Sequence, residues 1–260
     1  MPVKISGVII TFNEEENIER CIQSIIDVVD EVLVVDSFST DKTREICEKL
    51  KVKFIENPFA GHIEQKNVAV QKAKNDIILS LDADEALTEG TKTEILKVKD
   101  NWVHDAYYVN RLTNYCGKWI RHCGWYPDKK IRLFDRKMAS WGGENPHDRV
   151  VVKKGAKVGS IKGDLLHYSF PTIHDHAKTA NHFSEIAAQE AIKKGKNVSL
   201  IIHVLLNPWF TFIKKYFFQL GFLDGYHGFV ICVLSAHSNF LKYNKIRMLT
   251  KYENSHQQNR

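Results

Sequence analysis

The sequence has little cysteine and no cysteine pair of the kind that builds a disulfide framework. Its cysteines are odd in number, widely spaced and free of any C-x-x-C motif; they are Cys21, Cys47, Cys116, Cys123 and Cys232. This pattern argues against the small disulfide-rich secreted class and favours a reducing compartment.

Long hydrophobic runs are also lacking. No window reaches the roughly 18 uninterrupted apolar residues that a membrane-spanning helix needs. The N-terminal stretch MPVKISGVIITFNEEEN loses its apolar character after Ile10 and meets acids almost at once. It therefore predicts a first core strand rather than a signal peptide, and we expect a cytoplasmic protein.

Charge is unevenly distributed along the chain. The 260 residues carry a formal charge of +6, but the part from Lys193 onward has ten Lys and Arg against Asp224 and Glu253. A basic excess at one end favours contact with an anionic surface, either lipid head groups or nucleic acid. The alternative is a solvated helix face.

The first hundred residues alternate β-branched runs with helix-like stretches. The strand candidates are residues 5–11, 32–36, 52–55 and 77–82, and amphipathic segments separate them. Strict alternation of strand and helix predicts right-handed crossovers and a buried parallel sheet. Ligands of such sheets bind beyond the carboxyl ends of the strands.

Later segments differ in pattern. Short strands between aromatic, Gly-bearing loops predict a mixed-sheet extension over residues 101–170, and residues 172–194 have the spacing of one amphipathic helix. We therefore divide the chain into an α/β half (1–100), an acceptor half (101–170) and a helical, basic and aromatic extension (171–260). Residues 198–243 of the extension resemble an in-plane interfacial segment, although packing onto the domain or a second subunit is an equal alternative.

Three of the four predicted strands end in polar residues. These ends are Thr11-Phe12-Asn13-Glu14, Asp36-Ser37-Phe38-Ser39 and Asp82-Ala83-Asp84-Glu85. Asp82 and Asp84 form a D-x-D motif, whose carboxylates could hold a divalent cation that bridges a diphosphate. Helix capping by Asp84 or Thr88 is the alternative for this motif, and Ser39 or Thr40 is expected to cap the second helix.

Taken together, TFNEEENI, VVDSFSTDKT and LSLDADEAL resemble the inverting family 2 glycosyltransferases, which have the GT-A fold. The resemblance implies a Rossmann-like nucleotide-sugar site with a mixed-sheet acceptor half and C-terminal helices. It implies that Asp82 lies near the ribose and the metal, that Asp84 binds Mn²⁺ or Mg²⁺ directly, and that base and ribose are held by Thr11, Asn13, Glu14 and Asp36. Lys66 and Asn67 match a position that approaches the donor, with a solvated helix face as the alternative.

The second half narrows the resemblance to bacterial lipopolysaccharide-core β-glucosyltransferases. The shared pieces are DADE, the I-R-L-F strand, an H-E or H-D pair, H-Y-S and G-F-L-D-G. Inverting transfer needs one general base to deprotonate the acceptor hydroxyl, and Asp148 of the His147-Asp148 pair is the candidate. Here Asp replaces the more frequent Glu, so Glu144 is the fallback base.

The leaving diphosphate must have its charge neutralised, and Arg132 and His167 are the candidates for this role. His167 matches a family position that completes the metal or phosphate shell, with a purely structural histidine as the alternative. The spacing of His174 and His176 is poor for a zinc site. An aromatic set could stack on acceptor sugars or form a small core; it comprises Trp119, Trp125, Tyr126 and Trp141.

The resemblance therefore implies transfer of a hexose from a nucleotide sugar, with UDP expected, to a saccharide or glycolipid acceptor of the cell envelope. A polyprenyl-phosphate acceptor and a non-catalytic, membrane-associated adaptor are the rival functions. We expect peripheral contact with the anionic inner face of the cytoplasmic membrane and no nucleic-acid partner. A homo-oligomer is left open.

Overall fold

The computed structural model describes residues 2–144 and 147–258, which form two compact units. The first unit comprises residues 1–112 and 127–168, and the second comprises residues 113–126 and 169–260. The three-part division expected from sequence stays a prediction, because it separates segments by composition and not by packing.

The helices and strands alternate as predicted up to residue 82, after which a short strand, Glu85–Leu87, follows without an intervening helix. In chain order the elements are β1 (Ile5–Thr11), α1 (Ile18–Ile25), β2 (Glu31–Asp36), α2 (Thr43–Lys49), β3 (Lys53–Glu56), α3 (His62–Lys72), β4 (Ile77–Asp82), β5 (Glu85–Leu87), α4 (Glu89–Asp100), β6 (Ala106–Tyr115), β7 (Lys118–Trp119), β8 (Asp128–Asp135), β9 (Ala139–Glu144), β10 (His147–Val152), β11 (Val158–Phe170), α5 (Ile173–Lys193), α6 (Asn207–Ile213) and α7 (Gly225–Gln258).

A mixed sheet forms the framework of the first unit, in the order β3-β2-β1-β4-β8-β6-β11-β5. Strands β1 to β4 are parallel to one another, whereas β8 is antiparallel to β4 and to β6. A separate hairpin joins β9 and β10. The predicted parallel α/β half with a mixed-sheet continuation is therefore confirmed.

Both faces of the parallel strands are covered. Ile18, Ile22 and Ile25 of α1 pack on one face, and Ala69 and Val70 of α3 pack on the other. Burial on both faces explains why β1, β2 and β4 are continuous apolar runs and not alternating ones.

Gly7 permits the close approach of α1 to β1. A Cβ atom at this position would lie 2.7 Å from Cδ1 of Ile25, so a larger residue would force this side chain to shift. The missing side chain at Gly7 therefore leaves room for Ile25 against β1.

Two local predictions had different outcomes. Thr88 caps α4, since its Oγ1 accepts from the Thr91 amide at 3.2 Å. The predicted cap of α2 by Ser39 or Thr40 is wrong, because this helix begins at Thr43 and has no side-chain cap. The Ser39 amide and hydroxyl donate instead to Asp36, which stabilises the loop after β2.

The second unit is helical. Helix α5 (Ile173–Lys193) confirms the helix predicted over 172–194, and short helical turns occupy Leu200–Leu206, Lys214–Phe218 and Gly221–Asp224. Its core includes Tyr115, Ile120, Cys123, Ile231 and Cys232. Within the described residues no single helix is long and apolar enough to cross a membrane, whereas one bent pair, Leu200–Phe218 with Gly221–Thr250, passes the test of length and composition.

Candidate active site

The ends of β1, β2 and β4 lie side by side at one edge of the sheet. Thr11 pairs with Asp36, and Ile10 pairs with Asp82, in the parallel register of these strands. The sheet thereby brings together three of the predicted donor-binding residues, although they are far apart in sequence.

Thr11 and Asp36 are both almost fully buried at this edge. The Oγ1 atom of Thr11 has no hydrogen-bond partner among the described residues. A buried hydroxyl without a partner costs about 1–3 kcal/mol, so it is seldom left unpaired without a reason. The hydroxyl therefore stands out among the polar groups at this edge of the sheet.

The loops after β1 and β2 hold each other in place. The Asn13 amide donates to Ser39 Oγ at 2.8 Å, and Asn13 Oδ1 accepts from the Thr40 amide at 2.8 Å. Asn13 has a positive φ of 54°, a conformation that asparagine tolerates better than most residues. The structure thus places Asn13 as a loop-positioning residue at the predicted site, and direct donor contact stays a prediction.

Glu14 lies at the start of the same loop. Its amide donates to Thr43 Oγ1 at 2.9 Å, and its carboxylate accepts from Asn17 at 2.7 Å. Burial raises the pKa of Glu14, and the neighbouring carboxylates of Asp84 and Asp82 add to this increase against the opposing hydrogen bond from Asn17. Several carboxylates therefore lie close together at this site, and a bound cation would reduce the repulsion between them.

Lys66 on α3 bridges two of the predicted carboxylates. Its Nζ atom lies 2.8 Å from Asp82 Oδ1 and 2.7 Å from Asp148 Oδ2, and its side chain is only 5% exposed. The same ammonium lies 4.3 Å from the ring centre of Trp141. The alternative of a solvated helix face for Lys66 is therefore wrong, because its side chain is buried against these partners and does not face solvent.

Arg132 on β8 continues the ion-pair network. It binds the Glu85 carboxylate in a bidentate manner at 2.9 and 2.7 Å, and its Nη2 atom reaches Asp82 Oδ2 at 3.2 Å. Burial opposes ionisation of Asp82, but the charges of Lys66 and Arg132 outweigh it and hold the pKa of this carboxyl well below its usual range.

Glu85 is the functional-site residue that sequence reasoning missed. Its side chain is fully buried between Arg132 and Arg111, whose Nη1 atom lies 3.6 Å from Glu85 Oε1. The available signal was Arg132 itself, an arginine within the apolar strand I-R-L-F. A buried arginine needs a buried acid as its partner.

Asp84 and His167 meet on the other side of the D-x-D turn. His167 Nε2 lies 3.1 Å from Asp84 Oδ2, and the Tyr168 amide donates to the Asp84 carbonyl at 2.9 Å. The guanidinium of Arg20 stacks on the Tyr168 ring at 3.5 Å. The structure thus brings together the two residues predicted to bind metal.

Asp148 lies on β10 opposite Gly143 of β9, and its side chain is 16% exposed. The fallback base Glu144 and the adjacent His147 have side chains outside the described residues. Trp141 on β9 is buried, donates from Nε1 to Ser80 at 3.2 Å and is no surface for an acceptor sugar. Trp125 packs with Tyr115 and other aromatic rings in the second unit, which favours the small-core alternative for that residue.

A family model described as "Glycosyl transferase family 2" matches residues 6–160, which include every predicted site residue except His167. The chain belongs to glycosyltransferase family 2. The fold and enzyme class expected from the strand-end motifs are thereby confirmed.

Two curated relatives of this glycosyltransferase match along almost the whole chain. An uncharacterized glycosyltransferase of Rickettsia typhi is 35% identical over 95% of this chain and 88% of its own length. The lipopolysaccharide core biosynthesis glycosyltransferase LpsC of Rhizobium meliloti is 25% identical over 93% of this chain and 91% of its own.

A solved structure shares the fold of this glycosyltransferase. The mannosyltransferase from Pyrobaculum calidifontis, in complex with GDP-Man and Mn²⁺, superposes with a TM-score of 0.56 at 15% identity. The match covers 95% of this chain and 87% of that one. The GT-A fold predicted for the chain is therefore confirmed.

Proposed function

We propose that this glycosyltransferase transfers a hexose from a UDP-sugar to a hydroxyl group of a saccharide or glycolipid of the cell envelope, with inversion at the anomeric carbon. The observation that carries the proposal is the Asp82–Lys66–Asp148 bridge, which connects the edge of the donor site to the proposed base. The similarity to a lipopolysaccharide core transferase supports an envelope acceptor.

The nucleoside is assigned to the edge formed by β1 and β2. The hydroxyl of Thr11, which has no partner among the described residues, can donate or accept a hydrogen bond at a base or ribose, and the buried carboxylate of Asp36 can accept one. Asn13 and Glu14 shape the wall of this subsite through their loop contacts.

A divalent cation, Mn²⁺ or Mg²⁺, is assigned to Asp84 and His167. Their oxygen and nitrogen atoms, 3.1 Å apart, are ligands that fit Mn²⁺, and the surrounding carboxylates favour a cation. Within residues 2–144 and 147–258 no group of three His, Cys, Asp or Glu could hold a metal. We therefore infer that oxygen atoms of the donor and water would complete the coordination of the cation. A bound cation would neutralise the leaving diphosphate.

Asp148 is assigned as the general base that takes the acceptor proton as the hydroxyl oxygen attacks the anomeric carbon. Lys66 holds this carboxylate in position, since its Nζ atom lies 2.7 Å from Asp148 Oδ2 and 2.8 Å from Asp82 Oδ1. Because the Lys66 ammonium occupies Asp148 Oδ2 at 2.7 Å, we infer that Lys66 shifts toward the donor phosphates when the donor binds, which leaves this oxygen free to accept the proton. Arg132, fixed by Glu85, keeps Asp82 in place during this exchange.

The test is nucleotide release from a panel of UDP-, GDP-, CMP- and dTDP-sugars, measured with Mn²⁺, with Mg²⁺ and with chelator. We expect metal-dependent release of UDP from one donor, lost in Asp84→Ala and in His167→Ala. Asp100→Asn, which removes an exposed carboxylate at the end of α4, is the matched control and should keep full release.

Product analysis with two acceptor classes completes the test. A sugar hydroxyl acceptor should yield a product of inverted anomeric configuration, whereas glycosylation of polyprenyl phosphate alone would overturn the acceptor assignment. Absence of release from every donor under every metal condition would overturn the catalytic proposal and favour the adaptor.

A further inference from the structure

Residues 200–223 of the second unit carry an unusual density of exposed apolar side chains. Seven residues form α6, and none of them is buried. The exposed large apolar residues of this segment are Leu200, Ile201, Ile202, Leu205, Leu206, Trp209, Phe210, Phe217, Phe218, Leu220, Phe222 and Leu223. A helix that faces water has a polar outer face, so this segment is typical of a surface that meets an apolar phase or partner.

The charge around this apolar segment is positive. Lys193, Lys194 and Lys196 are exposed just before it, and Lys214 is exposed within it. The one acid between Lys193 and Thr250 is Asp224, which is buried and accepts from the His122 amide at 2.8 Å and from its ring nitrogen at 3.1 Å. The exposed part of the segment therefore presents cations without compensating anions.

Among the occupants that could cover this surface, the charge favours a lipid bilayer with anionic head groups. A second copy of the chain would bring the same lysines and repel them. Nucleic acid would pair with the lysines but would leave the apolar side chains in water. Only an anionic bilayer offers both a negative surface and an apolar layer beneath it.

The orientation of residues 200–223 relative to a bilayer follows from the break in the helices and from Lys214. The segments Leu200–Phe218 and Gly221–Thr250 are bent by 72°, and Leu220 at the break has a left-handed φ of 55°. Exposed Lys214 interrupts the apolar segment, and a charge at the bilayer centre is costly. An in-plane position keeps Lys214 at the head groups while Trp209 and Phe210 enter the interface.

We propose that residues 200–223, with Lys193, Lys194, Lys196 and Lys214, bind this enzyme in the plane of an anionic bilayer surface. The apolar side chains enter the interface and the lysines contact lipid phosphates. This proposal is independent of the transferase assignment and would make the enzyme a peripheral membrane protein.

Vesicle flotation tests the proposal on the full chain without donor or acceptor. The protein should float with phosphatidylcholine vesicles that contain phosphatidylglycerol, and much less with phosphatidylcholine alone. Trp209→Gln with Phe210→Gln should lower the partition coefficient at least about tenfold. The matched control, Leu96→Gln with Val103→Gln, changes two exposed apolar residues of the first unit and should float as the unmodified protein does.

A charge series separates the lysines from the apolar residues. Lys193→Gln, Lys194→Gln and Lys196→Gln together should lower partitioning about a hundredfold, since each surface cation contributes a factor of about five. Lys49→Gln, Lys153→Gln and Lys154→Gln remove the same charge from the first unit and should leave flotation unchanged.

Several outcomes would overturn the proposal. They are failure of the unmodified protein to float with anionic vesicles, equal loss of flotation in the control variants, and a dimer in solution that Trp209→Gln with Phe210→Gln converts to monomer. Nucleotide release measured in parallel distinguishes these failures from failure of the transferase assignment, since all variants should retain it.

Discussion

The two units differ in where they place their charged and their apolar side chains. The first buries Asp36, Lys66, Glu85 and Arg132 at one edge of its sheet, whereas the second buries the carboxylate of Asp224 and exposes a dense set of apolar side chains. Buried charges and exposed apolar groups are both unfavourable for an isolated domain. Each therefore indicates what the unit binds: small charged ligands in one case and an apolar, anionic surface in the other.

The sharpest way to test the catalytic half of this comparison is Asp148→Asn. The amide keeps the shape of the side chain but cannot take a proton, so we expect kcat to fall about 10³-fold. Donor affinity should change less than about threefold, because Lys66 retains its contact with Asp82. Steady-state kinetics with acceptor and equilibrium binding of the donor would measure both quantities.

Asp100→Asn is the control for this substitution. Full turnover in Asp148→Asn would contradict the assignment of the base and move it to Glu144. Loss of donor affinity equal to the loss of kcat would instead make Asp148 a binding residue.

The next largest effect compares the buried carboxylates of the two units. Glu85→Gln leaves Arg132 as a buried cation with a weakened partner, and the free energy of unfolding should fall by about 3 kcal/mol. Asp224→Asn should cost only about 1 kcal/mol, because an amide oxygen can still accept from the backbone of His122. Denaturant unfolding of both variants measures the difference.

Equal losses of stability in these two variants would contradict the comparison. They would show that weakening the ion pair of Glu85 costs no more than weakening the hydrogen bonds of Asp224. Glu89→Gln, at a carboxylate whose side chain is 87% exposed, should leave stability unchanged and serves as the control.

The sequence predicts the parts of the site that follow from topology. Alternating strands and helices fix a parallel sheet, and that sheet brings Thr11, Asp36 and Asp82 to one edge regardless of side-chain detail. Asp84 and His167 were linked through the family resemblance, and their contact at 3.1 Å agrees with that link.

The remainder depends on packing that local pattern does not encode. Lys66 and Asp148 are 82 residues apart, and they meet only because the β9–β10 hairpin folds back against α3. Helical spacing alone left Lys66 equally compatible with a solvated face. Trp141 has the composition of a sugar platform, yet it is buried beneath Lys66 and Arg132. In both cases the deciding partner lies on a distant strand.

A smaller effect concerns His176 in the core of the second unit. Burial lowers the pKa of His176 from 6.5 to about 4, and the charge of Lys215 adds to this decrease. The unfolded chain therefore takes the proton first, so the stabilisation is complete above about pH 6.5 and is lost as pH falls toward 4. We expect a loss of about 2 kcal/mol over this range after allowance for solvent screening.

Urea unfolding between pH 4 and 7 measures this dependence, which His176→Gln should flatten. His174→Gln, two residues earlier on α5 and exposed, should keep the slope of the unmodified protein. An unchanged slope in His176→Gln would assign the pH dependence to other groups.

The smallest predicted effect is that of Thr11→Val, which should raise the stability of the free protein and lower its affinity for the donor. Thr11→Val replaces a buried hydroxyl that has no partner in the described part of the chain by a methyl group of similar shape, so the free protein should become about 1 kcal/mol more stable. Donor affinity should fall about tenfold if this hydroxyl bonds the nucleoside, since the ligand then loses a partner. Thr43→Val is the matched comparison, because Thr43 Oγ1 already accepts from the Glu14 amide at 2.9 Å and its removal should destabilise the free protein. A Thr11→Val protein with lower stability and unchanged donor affinity would show that the hydroxyl serves the fold, and would remove Thr11 from the donor site.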